Sequence, residues 1–380
     1  MLKLSLAFFL ILSSAAVASA QDDGNVHQPK LTPQTSGTKE LLIAVSPVND
    51  QVVWAAGAGG TFTVTTDGGN TWKAGVVYGA PGEGLQFRDV QGVSDKIAYL
   101  MSIGNFPRNF RIYKTIDGGA TWKIEFQNEM VGAFYDCFAF WTPDRGVTHS
   151  DSVNGVFPDI RSTDGLTWQS ISANMPPALS GEASFSASGT CITTEGKNNA
   201  WVATGGSTIA RILATKDGGN TWNAYDTPFF SSPSAGGISV DFRDATHGIL
   251  GGGDLSNNSS AQVATSDDGG QTWNLTSTPP VSGAIFCLAY VNGNGHDGYA
   301  INYGEEAGQD SGKDHQYERT VVITSEALPT YSSGTGAWTP DEGHTWYVLP
   351  NVSGYWAVAF ANPHAGWFVG NNGQILKISF

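Results

Sequence analysis

The residues of this chain best able to do chemistry are carboxylates, arginines and aromatics gathered in short segments between apolar runs. The segments PGEGLQFRDV, AFYDCFAF, SGEASFSASGTC and SGYWAVAF offer Glu83, Arg88, Tyr135, Asp136, Glu182, Tyr355 and Trp356. Three further segments, GNFPRNFR, HSDSVNG and GGGDLSNN, add Arg108, Asp151 and Asp254. Such a set suits a carbohydrate, because rings stack on sugar faces while charges bind hydroxyls or a uronate. Hydrolysis of a glycoside would need two carboxyls about 5–5.5 Å apart for retention or about 6.5–9.5 Å apart for inversion. Asp136 with Glu182 is the best pair for that role, with Asp151 as a third carboxylate and Glu83, Arg88, Arg108, Tyr135, Asp254, Tyr355 and Trp356 as ligand contacts.

These residues need a frame, and a repeat supplies it. The pattern S/T-x-D-x-G-x-x-W occurs as TTDGGNTW, TIDGGATW, TKDGGNTW, SDDGGQTW and TPDEGHTW, and STDGLTW is a copy one residue short. The box residues are Asp67 and Trp72, Asp117 and Trp122, Asp164 and Trp168, Asp217 and Trp222, Asp268 and Trp273, and Asp341 and Trp346. Successive aspartates are 50, 47, 53, 51 and 73 residues apart, so a unit of about fifty residues recurs and the last interval carries an insertion. Each box reads as a tight hairpin: the carboxylate accepts from turn amides, glycine takes the positive φ, and tryptophan buries its ring between sheets. That role is structural, and no calcium-loop spacing accompanies the aspartates.

A second landmark is an apolar strand ending in glycine, as in VVWAAGAGG and GWFVGNNG. The C-terminal copy has no box after it, so the chain holds six complete units and a truncated seventh. Short runs such as ISVDF, AIFCLAYV and YWAVAF alternate and favour β-branched or aromatic residues, and no segment sustains a helical period. Four strands per unit, arranged radially, predict an all-β, seven-bladed β-propeller over residues 38–380. The stretch around Gln28 to Pro33, whose PKLTP resembles the segments after the box tryptophans, is expected to supply the missing outer strand and close the ring.

The boxes resemble the Asp-box, or BNR, repeats of sialidase-type propellers, and the GWFVGNNGQILK-type strands resemble the propellers of the photosystem II assembly and stability factor-like family. The resemblance spans roughly residues 38–380. It implies the propeller fold and two activities: a ligand- or protein-binding scaffold of the assembly-factor kind, or a carbohydrate-active enzyme, a glycoside hydrolase or polysaccharide lyase, with its site at the channel mouth. Sialidases use an arginine triad and a tyrosine nucleophile. Here Arg88, Arg108 and Arg111 cluster without the FRIP-type motif, which argues against that activity.

Composition narrows the setting. Lys plus Arg number 19 against 34 Asp plus Glu, a net charge of -15, which repels nucleic acid and anionic membranes. The 48 glycines in 380 residues mark a turn-rich globular chain. Residues 1–20 read as a secretory signal, with Lys3, the apolar run Leu4 to Leu12 and Ala18-Ser19-Ala20 before Gln21, and 21–37 as a lead segment or closing strand. A secreted or periplasmic monomer is expected, with no membrane insertion, no metal and no cofactor. Gly293–Gly298 matches G-x-G-x-x-G but opens no helix, and the histidines have no zinc-site context. Among the cysteines, Cys137 and Cys191 lie on adjacent inner strands and are the expected disulfide, which leaves Cys287 free. The span Asn292 to Glu318 reads as a polar loop insertion in blade six.

Overall fold

The computed structural model describes residues 28–258, 260–292, 314–326 and 335–380. The expected signal segment and most of the expected blade-six insertion, with the Gly293–Gly298 motif, lie outside the described residues. The chain builds seven four-stranded antiparallel sheets, and in six of them four consecutive strands run in order from the channel outward. The inner strands are Leu42–Pro47, Gln86–Gly92, Tyr135–Thr142, Ile192–Glu195, Ala235–Phe242, Ala284–Tyr290 and Tyr355–Asn362, in blades 1 to 7. Each packs against the inner strands before and after it, and the last packs on the first, so the blades form a closed ring. Among the described residues no helix is long and apolar enough to cross a membrane.

Blade 7 is composite. Its outer strand is Lys30–Thr35, antiparallel to Gln374–Ser379, with Lys30 opposite Ser379 and Thr35 opposite Gln374. This is the expected closure, displaced by two residues from the Gln28–Pro33 stretch. Leu31 packs onto the core shared by blades 6, 7 and 1, beside Ile378, Trp367 and Phe368. Without this strand, Gln374–Ser379 would present an unpaired edge.

Burial follows the radial position of a strand. Inner and second strands are covered on both faces by neighbouring blades, so Tyr135–Trp141 and Ala284–Tyr290 are buried at every position. Exposure therefore rises outward, as in the exposed to half-buried Lys73–Val76 and Lys123–Gln127. Side chains then tie one blade to the next. Trp54 Nε1 donates to Ser94 O at 2.8 Å, Trp141 Nε1 to Asn199 O at 2.6 Å and Trp201 Nε1 to Gly269 O at 2.9 Å. On the inner strands, Asp89 accepts from Phe138 N and Asp241 from Tyr290 N, both at 2.8 Å. The Cys137–Cys191 disulfide joins blades 3 and 4, and Cys287 is free and buried.

The boxes close the hairpins between third and fourth strands. In the first, Thr65 Oγ1 donates to Asp67 Oδ1 at 2.8 Å, while Thr71 donates its N–H to Oδ1 at 2.9 Å and its hydroxyl to Oδ2 at 2.6 Å. The pattern recurs at Asp117, Asp164, Asp217 and Asp268, and at Asp341 in its Thr339 and Thr345 N–H bonds. The box tryptophans depart from the sequence expectation of deep burial. Trp222 and Trp273 are buried, whereas Trp72, Trp122, Trp168 and Trp346 are half-buried. The half-buried four are partly open at the edge of a blade interface, and Trp122 meets Trp54 and Phe62 of blade 1 edge-on.

Two outcomes test this architecture. Truncating Leu31 to Ala should lower stability in urea by about 1–2 kcal/mol, and Ile378 to Ala by about 2–5 kcal/mol, because both sides of the seam join one core. Equal stability of both variants and the parent would show that the seam does not hold the ring. The box hydrogen bonds hold Asp67 and Asp117 at about 2, against 3.8 for an ordinary aspartate. Their stabilisation is thus complete above pH 3.8 and is lost as pH falls through about 2. The thermal midpoint should drop over that window, and Asp67→Asn with Asp117→Asn should flatten the drop.

Candidate functional site

The site arises from an irregularity repeated in six inner strands. Near the start of each, the pairing with the second strand skips one residue: Leu42 then Ala44, Phe87 then Asp89, Tyr135 then Cys137, Gly237 then Ser239, Ile285 then Cys287, Tyr355 then Ala357. The skipped residues are Ile43, Arg88, Asp136, Ile238, Phe286 and Trp356. A bulge leaves its extra residue out of the ladder and re-aims its side chain. Ile43, Ile238, Phe286 and Trp356 join Ala187 and Ala284 in one apolar cluster. Arg88, Asp136, Phe286 and Trp356 line a cavity of about 350 Å³.

The remaining walls come from connecting segments at the same end of the propeller: Phe134, Asp151, Ser184–Ala187 and Leu255. The disulfide fixes two of these pieces, since Cys137 follows the bulged Asp136 and Cys191 anchors the segment after Ala187 to it. Glu182 holds the same segment from the other side. It accepts from Arg211 Nε and Thr204 Oγ1 at 2.8 Å on Oε1, and from Arg211 Nη2 and Leu179 N on Oε2.

The electrostatics centre on Asp136, buried with its Oδ2 unpartnered, and on Asp151, which lines the same cavity. Two carboxylates at one buried site disfavour double ionisation. Burial first, then the Asp151 charge, pushes Asp136 well above the usual carboxylate range, and burial also raises Asp151. Ser184 N donates to Asp151 Oδ1 at 3.1 Å. Arg88 opposes the pair: its Nη1 donates to Ser186 O at 3.0 Å and its guanidinium lies 5.9 Å from the Trp356 ring centre. Behind the pair, buried His149 binds Asp159 through Nδ1 at 2.9 Å. Burial alone would lower that imidazole, but Asp159 and the nearby Asp151 and Glu182 outweigh it and the net shift is upward.

Of the residues singled out in the sequence, the fold brings Asp136, Asp151, Arg88 and Trp356 together. The Asp136–Glu182 pairing is not the one the structure makes. Glu182 is buried under Arg211 and lines no part of the cavity, and the carboxyl beside Asp136 is Asp151. Glu83 is engaged by Arg111 at 2.7 Å, and Arg108 pairs with Glu129 at 2.9 Å on the surface. Tyr135 is buried with its hydroxyl on Pro158 O at 2.9 Å, Asp254 caps Ser256 and Ser234, and Tyr355 stands against Phe368. Phe286 was missed, although its alignment with Arg88, Asp136 and Trp356, each second in the strand entries FRDV, YDCF, IFCL and YWAV, is legible.

A second cavity, of about 410 Å³, lies at the opposite end among turns of blades 5 and 6. Its charges are spent on one another: Glu342 accepts from Arg243 Nε at 2.8 Å, Arg319 Nε at 2.9 Å and the Tyr290 hydroxyl at 3.0 Å. Glu342 stands at φ 56°, where the other boxes place Gly68, Gly118, Gly165, Gly218 and Gly269. The three bonds hold a conformation that glycine would adopt freely.

No protein-family model matches the chain, and no curated protein matches it by sequence. Solved structures do match its fold. YCF48 bound to D1 peptide is 16% identical with a TM-score of 0.59, over 93% of this chain and 98% of that one. YCF48 from Cyanidioschyzon merolae is 14% identical with a TM-score of 0.60, over 92% and 98%. The GH74 xyloglucanase from Xanthomonas campestris is 13% identical with a TM-score of 0.58, over 91% of this chain and 53% of that one. At these identities the likeness is one of fold, and by that measure the chain is a seven-bladed β-propeller of the architecture found in YCF48 and in the GH74 xyloglucanase.

Proposed function

We propose that the protein is a binding propeller: an exported scaffold that docks a ligand segment on its channel-mouth end and seats one group in the cavity between Arg88, Asp136, Asp151 and Trp356. The observation that carries this reading is the cavity itself, where buried Asp136 stands with Asp151 and Arg88 among the rings of Phe134, Phe185, Phe286 and Trp356. A rigid cavity with aromatic walls and a few fixed polar groups is the usual form of a binding pocket.

The surface around the cavity supports docking of something larger than a small molecule. Phe106, Val131 and Phe230 are 69%, 80% and 60% exposed, on connecting segments at the cavity end of blades 2, 3 and 5. The relative solved as YCF48 bound to D1 peptide is a propeller with a peptide ligand, and it supports a peptide or protein partner here. Export is consistent with the disulfide, which persists in oxidising compartments.

A carbohydrate-active enzyme is the second reading, favoured by one feature: a carboxyl kept protonated beside aromatic rings is the acid such chemistry requires. One experiment separates the two. The purified protein should release neither reducing ends nor unsaturated products from neutral, uronic and sialylated polysaccharides. It should bind ligands from a peptide array, with Trp356→Ala weakening binding about tenfold or more. Product that disappears in both Asp136→Asn and Asp151→Asn would overturn the scaffold reading in favour of the enzyme.

A further inference from the structure

Resting on the binding reading, the geometry points to the chemical class of the group the cavity takes. We propose that it is a cation on a peptide, a lysine or arginine side chain, seated between the aromatic walls and the unpartnered Oδ2 of buried Asp136. Burial favours the protonated form of Asp136, so the entry of a cation displaces that proton. Four aromatic side chains, Phe134, Phe185, Phe286 and Trp356, wall the cavity, and the two carboxyls stand among them. Aromatic faces and carboxylates around one space are the two attractive surroundings for a desolvated cation.

The charges nearby decide why a proton must leave. Behind the carboxyls, from the same blade, His149 is matched with Asp159. From the segment leading into blade 4, Glu182 is matched with Arg211. From blade 2, Arg88 faces the pair and balances one negative charge. With one proton in place the cavity is neutral, and a cation added to it would be an unmatched buried charge. Breaking the O–H bond of the Asp136 carboxyl gives the proton to solvent and leaves a second carboxylate for the incoming cation. Binding is therefore an exchange of one cation for another, with no change in the cavity's net charge.

The test is calorimetric titration of the full protein with acetylated, amidated peptides centred on Lys or Arg, beside otherwise identical peptides centred on Gln or Glu. Titrations run in phosphate and in Tris, whose ionisation heats differ, count the protons released. The expected result is that the basic peptides bind in preference, release close to one proton, and tighten on the order of tenfold per pH unit while the pair is protonated. Asp136→Asn and Asp151→Asn, each checked for native circular dichroism, should bind about tenfold or more weaker and lose both the proton release and the pH slope. Basic peptides that bind without releasing a proton would overturn the exchange. Binding by the Gln or Glu peptides alone, still sensitive to Trp356→Ala, would overturn the cation while leaving the binding scaffold intact. Failure of every peptide to show Trp356-dependent binding would remove the scaffold reading and this inference together.

Discussion

A four-stranded blade has two apolar faces and no means of covering either by itself, so every blade depends on having a neighbour on both sides. Only a closed ring satisfies all seven at once, and closure rests on the pairing of Lys30–Thr35 with Gln374–Ser379. The dependence shows in the burial pattern. Strands such as Ala284–Tyr290 are apolar and covered at every position because a sheet lies on each side. Several donors and acceptors left over in those interfaces are matched across blades, by Asp89 to Phe138 N, Asp241 to Tyr290 N and the indoles of Trp54, Trp141 and Trp201. A buried polar group left unmatched in such an interface would cost about 1–3 kcal/mol.

The site is a by-product of the same ring. Inner strands converge at the axis, where there is room for one side chain per blade, and a bulge at the start of six of them delivers it there. Four of the delivered side chains, Arg88, Asp136, Phe286 and Trp356, shape the cavity. The chemistry follows from the crowding: two carboxyls brought to one place, away from water, cannot both ionise. Arg88 then meets a single negative charge, and the surrounding ion pairs His149–Asp159 and Glu182–Arg211 keep the remaining charges local.

The fold was legible in the sequence because its signals are local and repeated. The boxes fix the hairpin turns through hydrogen bonds within five residues, the truncated last unit announces a composite blade, and PKLTP announces what completes it. The cavity was legible only in part. Asp136, Arg88 and Trp356 could be named from residue type and from their place at strand entries, and Asp151 from the loop after a second strand. The pairing of Asp136 could not: Glu182 and Asp151 both precede or follow strands near the mouth, and only the position of Arg211 on the third strand of blade 4 decides which carboxyl is neutralised in place. Phe286 carries no chemical flag in the sequence and is found only by aligning the bulges.

The bulges have a consequence for how such a ring changes over evolutionary time. A residue outside the ladder can be exchanged without disturbing register, because no hydrogen-bonded partner or opposite side chain specifies it. The six bulge positions already hold isoleucine twice, arginine, aspartate, phenylalanine and tryptophan on nearly the same backbone. They act as a set of interchangeable sockets around one axis. A lineage of such propellers could pass from one ligand to another by refilling the sockets, while the boxes, the indole ties and the closing strand stay as they are.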